Sequence, residues 1–515
     1  MRYSGRSCGS PLRRRLGQAL LVCAAIVGVV TPVANGAAYD PSADPNSMYS
    51  TARYMGAASW WNAGYTGKGI DVAVIDSGVS PVPGLAAPGK VLYGPDLSLE
   101  SQVPDLANYD TYGHGTFMAG LIAGHDDTLT KPYANAPASA YRGIAPDARI
   151  VSLKVATADG GADVSQVIAA IDWVVQHAHD PGLNIRVLNL SYGTNSTQAY
   201  GVDPLAYAVE QAWKDGIVVV AAAGNTGYQR TVGAPGLADP SYDPYVIGVG
   251  ASDSAGSGST KDDRVATFSA SSSGCKGCKN PDFVAPGSHL QGLRVANSWI
   301  DANHPEGMLD TRYFRGSGTS QAAAIVSGAV ALVLQKYPTM SPDLVKRFFQ
   351  TNAVKLASYD SQAQGAGEIR LSAMVSATPQ WSFTGQRFVN AAGTGSIELA
   401  RGQDHLLRDG IALTGEQDIF GQALDADALA SSEAAASTWS GGAWNGSTWS
   451  GSTWSGSTWS ASTWSGSSWS GSRWSASTWS ASTWSGSTWS ASTWSGSSWS
   501  GSTWSGKTWA DAFWG

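Results

Sequence analysis

The chain has 515 residues, 43% of them hydrophobic, enough for a large buried core and for more than one domain. Charged residues make up only 14%, and 32 Lys and Arg against 39 Asp and Glu leave a formal charge of -7. There is no basic surplus to neutralise a phosphate backbone, so a nucleic-acid partner is excluded.

The N-terminus carries Arg2, Arg6 and Arg13 to Arg15, then the apolar run ALLVCAAIVGVV at 19–30, then Pro32 and the small residues VANGAA. This is the layout of a secretory signal peptide, assigned to residues 1–36. The apolar run is short of the ~20 residues a membrane-crossing helix needs, so the expectation is a secreted chain with no membrane span after cleavage. A short N-terminal segment, 37–53, follows. Cys8 and Cys23 leave with the signal peptide, and Cys275 and Cys278 remain in SGCKGCKN. A short local disulfide suits an oxidising compartment. A redox pair and half a zinc site are the alternatives, though the C-x-x-C has no second pair at metal-ligand spacing.

From residue 70 to about 355, short apolar runs alternate with longer amphipathic ones. IDVAVID, ARIVSLKV, IRVLNLS, GIVVVAAAG and YVIGVGAS read as strands buried on both faces. Helices are predicted in VSQVIAAIDWVVQHAHD, DPLAYAVEQAWKDG, SQAAAIVSGAVALVLQKYP and PDLVKRFFQTNA. The alternation predicts an α/β fold, a doubly wound, mostly parallel sheet with helices on both faces. Residues 376–436 lose the periodicity and read as a connector with one Asp-Gly hairpin signal, in HLLRDGIAL.

From residue 437 to 515 the chain repeats every five residues as S-T-W-S-G, with Trp at 439, 444 and every fifth position to 514. An odd period cannot hold Trp on one face of a flat strand. The unit resembles the pentapeptide-repeat family, which implies a four-sided β-solenoid, with Trp as a departure from the usual Leu or Phe. The other reading is a disordered Ser/Gly-rich tail studded with aromatics. In that form its indoles would stack on cell-wall glycans.

Three segments carry chemistry together, although each alone has an ordinary explanation. IDSGV ends a strand with Asp76 at the C-terminal edge of the sheet, where such sheets bind ligands, and where an Asp also caps turns. HGTFMAG sets His114 between glycines at a helix start, and GTSQAAA sets Ser320 at another. A serine there is commonly an N-cap, but it is also where developing negative charge is best stabilised.

The order Asp, His, Ser, with these three motifs, resembles the subtilisin-like (subtilase) serine peptidases over residues 54–375. VVVAAAGNTG resembles the family segment whose Asn, here Asn225, completes the oxyanion hole. VLNLSYGT resembles the strand along which substrate lies, here Ser191, Tyr192 and Gly193. The resemblance implies a serine endopeptidase of broad specificity acting on proteins or peptides through an acyl-enzyme. Ser320 would be the nucleophile, His114 the base and Asp76 its orienting partner. No cofactor is required for that chemistry. Structural Ca²⁺, frequent in the family, cannot be located, because no acidic cluster has ligand spacing, and no metal ligand is assigned.

The sequence departs from the family at Ala324, where Pro is usual, and in having no room for a long propeptide before Tyr54. The sedolisin group, which uses Glu in place of His, is disfavoured by His114. A catalytically impaired relative that binds walls through its Trp repeats is the competing reading. The intact Asp76, His114, Ser320 and Asn225 count against it.

Overall fold

The computed structural model describes residues 39–448, apart from 102, 104, 228–235, 259, 274, 409–410 and 441, together with the strand Phe513–Trp514. The segment read as a signal peptide, the Asp409-Gly410 pair of the hairpin signal and the repeats between 449 and 512 lie outside the described residues.

Eight strands form the central sheet: β1 (Asp71–Asp76), β2 (Val91–Asp96), β3 (Arg149–Lys154), β4 (Ile185–Leu190), β5 (Val218–Ala222), β6 (Ile247–Asp253), β7 (Arg264–Val265) and β8 (Phe283–Pro286). Their order is β2-β3-β1-β4-β5-β6-β7, with β8 also beside β6. Every pairing is parallel except β6 with β7. All residues of β1 and β5 are buried, as expected of strands covered on both faces. The connection out of β1 runs toward β2 and the one out of β4 toward β5, so the strand order reverses between neighbouring β1 and β4, the kind of point at which open α/β sheets bind ligands beyond their C-terminal strand ends.

Eight helices matter for the core: α1 (Met48–Met55), α2 (Ala57–Asn62), α3 (His114–Ala123), α4 (Val164–His177), α5 (Pro204–Lys214), α6 (Trp299–Asn303), α7 (Thr319–Lys336) and α8 (Pro342–Asn352). α4 starts at a capping box between Asp163 and Gln166. α5 and α8 start with a capping Asp203 or Ser341 and a Pro in the first turn. α3 packs with α7, and α4 with α5, each pair against the sheet. α7 is buried almost all round and packs on β4, β5 and β6, while its Gly328 faces Ile144 and the carbonyl of Ile122 on α3, where a Cβ would not fit.

β9 (Leu290–Leu293) and β10 (Tyr313–Ser317) form a small antiparallel sheet, and β10 leads straight into α7. Phe513–Trp514 pairs with the other edge of β10. The sequence reading did not foresee this sheet, nor β2, β8, α1 and α2.

Cys275 and Cys278 are bridged. Next to them the Lys279 ammonium donates to three carbonyls, Ser241 at 2.8 Å, Asp243 at 2.7 Å and Val246 at 2.8 Å, and lies 3.1 Å from the Asp282 carboxylate. One acceptor serves each of its three protons.

Residues 376–436, expected as a connector, pack on the same core. Leu406, Ile419, Leu424 and Leu429 are buried in it, and the short strands Leu407–Arg408 and Ile411–Ala412 pair as a hairpin. Arg401 is fully buried and ion-paired to Asp163 at 2.6 Å.

The first repeats are neither a solenoid coil nor a free tail. Trp439–Ser440, Ala443–Trp444 and Ser447–Thr448 form an antiparallel meander with Trp439 directly opposite Trp444. Two-residue strands alternate with two-residue turns, so the meander steps every four residues while Trp recurs every five. At the second turn Asn445 and Gly446 take φ of 47° and 81°, as a tight hairpin turn requires. Cross-strand neighbours share a face, so here the odd period places both indoles together against α4. Trp444 is fully buried and donates its indole N–H to Asp172 at 2.6 Å, while Trp439 donates to the carbonyl of Ala169 at 2.8 Å.

Candidate active site

The site is built where β1, β4 and β5 end. Ile75 lies opposite Leu190, so Asp76 and Ser191 are the next residues on neighbouring strands, whose spacing is about 4.8 Å. Asp76 is buried, and its Oδ1 accepts from His114 Nδ1 at 2.7 Å and from the Ser77 N–H at 2.8 Å.

His114 is the first residue of α3, and its flanking glycines have a steric cause. Gly113 has φ of 106°, and a Cβ there would lie 2.5 Å from Ser298 Oγ. A Cβ on Gly115 would overlap the carbonyl of Gly78. The helix start is therefore pressed on both sides, which fixes where the imidazole stands.

Asp110 was not singled out from the sequence. Its buried carboxylate accepts from Ser77 Oγ at 2.8 Å, Gly113 N–H at 2.6 Å and Thr116 N–H at 2.7 Å. Burial pushes its carboxyl up from the ordinary range. It ties the loop after β1 to the first turn of α3, and so holds Asp76 and His114 in register. It lies three residues before the N-cap Gly113, outside the position a capping acid takes, so no local signal marked it.

Ser320 is the second residue of α7 and is buried; its Oγ donates to the carbonyl of Ser191 at 3.1 Å. α7 runs unbroken through Ala324, the position where the family usually has Pro. Asn225, three residues past β5, accepts from the Thr319 N–H at 2.9 Å and Thr319 Oγ1 at 3.0 Å. Thr319 Oγ1 in turn accepts from the Gly224 N–H at 3.1 Å. These bonds engage the oxygen of the Asn225 amide at α7, so its N–H₂ is the end turned away from Thr319. The Ser320 N–H lies in the first helical turn, outside the i−4 ladder.

Ser191, Tyr192 and Gly193 continue β4, and Thr194 closes the segment through paired 3.0 Å backbone bonds with Asp239. The Tyr192 side chain is fully buried, so this segment meets any neighbour through its main chain. Among the described residues no group of three or more His, Cys, Asp or Glu side chains is placed to hold a metal ion. No described helix is long and apolar enough to cross a membrane.

Residues 67–367, more than half of the chain, match the model of the subtilase family, peptidase S8. The chain belongs to the subtilase family of serine peptidases. It is 35% identical over 308 residues to Serine protease AprX of Bacillus subtilis (strain 168), a match that covers 59% of this subtilase and 65% of AprX. It is 32% identical over 314 residues to Subtilisin DY of Bacillus licheniformis, covering 60% and 92%. Fervidolysin of Fervidobacterium pennivorans, a keratinolytic enzyme related to subtilisin, aligns with a TM-score of 0.48 at 25% identity, over 64% of this chain and 45% of that one.

Proposed function

We propose that this subtilase is an exported serine endopeptidase that cleaves extended segments of proteins and peptides. The observation that carries the reading is the 2.7 Å bond from His114 Nδ1 to Asp76, set one strand away from the Ser191–Ser320 contact. With Nδ1–H donated to Asp76, the other ring nitrogen is the basic one. It takes the proton of Ser320 as Oγ attacks the scissile carbonyl, and then gives it to the departing amine. The resulting oxyanion would be held by the Asn225 amide and the Ser320 N–H. Water, activated by the same imidazole, releases the acyl group. Nothing in these steps calls for a cofactor.

Main-chain pairing along Ser191 to Gly193 supports broad specificity, since backbone bonds do not read side chains. The signal-peptide layout of residues 1–36 supports export. With Trp439 and Trp444 occupied on α4, contact with wall glycans falls to the indoles beyond them.

The test is a fluorophosphonate probe on the purified mature chain. Labelling that is lost in Ser320→Ala, with hydrolysis of a peptide anilide lost in parallel, is expected. A wild-type chain that neither labels nor cleaves would leave the impaired, wall-binding reading in its place.

A further inference from the structure

We propose that the strand Phe513–Trp514 is a built-in occupant of the leaving-group side of the cleft, so that the tail of this chain competes there with substrate. β10 pairs with β9 along one edge; along the other it pairs antiparallel with Phe513–Trp514, Ser317 opposite Phe513 and Gly316 opposite Trp514. Ser317 is three residues before Ser320, so this edge runs directly up to the nucleophile.

Ser320 thus stands between two stretches of backbone. On one side is Ser191, whose carbonyl accepts from Ser320 Oγ and which opens the segment assigned to the acyl half of a substrate. On the other is the edge of β10. A peptide lying extended across Ser320 with its acyl half on Ser191–Gly193 must carry its leaving half past Gly316 and Ser317. A strand edge binds any extended segment through main-chain bonds, whatever its side chains, so tail and substrate meet the same donors and acceptors.

The tail has the advantage of tethering. The meander at 439–448 is fixed on α4 and Phe513–Trp514 on β10, and at ~3.3 Å per extended residue the chain between them sets no limit of reach. A linked segment meets the edge as an intramolecular partner, so even weak two-residue pairing competes for it in the absence of substrate. The contact blocks the departing half of a long substrate and leaves a substrate without one unaffected.

The proposal rests on the reading of Ser320 as nucleophile, and two substrates separate the two claims. A peptide anilide ends in a small aromatic leaving group, whereas an internally quenched peptide extends several residues on both sides of the scissile bond. Full-length chain is compared with a chain lacking residues 511–515 and with a Phe513→Pro, Trp514→Pro variant, because proline removes the N–H that strand pairing uses. Both variants are expected to lower KM for the quenched peptide at least about threefold, the gain from removing a tethered competitor, and to leave kinetics on the anilide unchanged. A synthetic peptide TWADAFWG should inhibit the truncated chain competitively against the quenched peptide only. Unchanged KM for the quenched peptide, or equal changes with both substrates, would overturn the proposal. Inactivity of the full-length chain on the anilide would overturn the reading of Ser320 and the proposal with it.

Discussion

Ser320 Oγ donates to the carbonyl of Ser191 at 3.1 Å, and Ser191 Oγ donates back to the carbonyl of Ser320 at 3.3 Å. The first turn of α7 and the end of β4 are thereby stitched reciprocally, and the hydroxyl is turned toward the segment assigned to substrate. Ser320→Ala removes one of the two stitches and the proposed nucleophile together. Activity should fall by several orders of magnitude, whereas stability should fall by only ~0.5–1.5 kcal/mol, the net worth of one hydrogen bond. Thermal melting beside anilide hydrolysis checks both; a large loss of stability would mean that the missing activity reports unfolding.

Asn225→Ala should lower kcat by about 10² to 10³ with KM little changed, a size taken from the equivalent amide in subtilisin itself. Steady-state kinetics decide it. A change in KM alone would remove Asn225 from the oxyanion.

Asp172 and Glu433 form a buried acidic pair beneath Trp444. Burial pushes Asp172 up to about 7, and burial with the neighbouring Asp172 pushes Glu433 well up. In the unfolded chain these carboxyls ionise in the ordinary range, so as pH rises the unfolded state loses protons first. The stability that Asp172 contributes is full in acid and is lost as pH climbs to about 7, while that of Glu433, pushed well up, persists to higher pH. Asp172→Asn keeps an acceptor for the Trp444 indole and removes the charge. Melting temperatures from pH 4 to 8 should decline more steeply for the wild type than for this variant, and parallel curves would contradict the assignment.

Arg401→Met should cost about 3–5 kcal/mol, because it leaves the fully buried Asp163 carboxylate without its counter-charge. Adding Asp163→Asn should restore part of the loss, since an amide still caps α4 without a charge to compensate. Chemical denaturation of the single and double variants measures the difference.

The parts legible in the sequence were those whose signal is local. β1, β3, β4, β5 and β6 are continuous apolar runs, and Asp76, His114, Ser320 and Asn225 stand in short motifs. α1 and α2 were not legible because their partners are remote: Trp60 donates to the carbonyl of Leu371, and Gly56 lies against Ser372. Asp110 looked like one more loop acid until Ser77 and the start of α3 were seen to converge on it. The pairing of the first Trp units was not legible for a related reason. A five-residue spacing means nothing on a single strand; at its start it brings Trp439 opposite Trp444 because the chain turns back between them, which is a property of pairing rather than of composition.

The ammonium of Lys279 fills a cage of three carbonyls and a carboxylate that has the form of a small ion's coordination shell. Because the positive charge is covalently part of the chain, it can be neither diluted away nor exchanged for another species nor drawn out by a sequestering agent. The loop Ser241–Val246 is therefore held by an occupant delivered at translation, and the composition of the surrounding solution has no say in whether that position is filled.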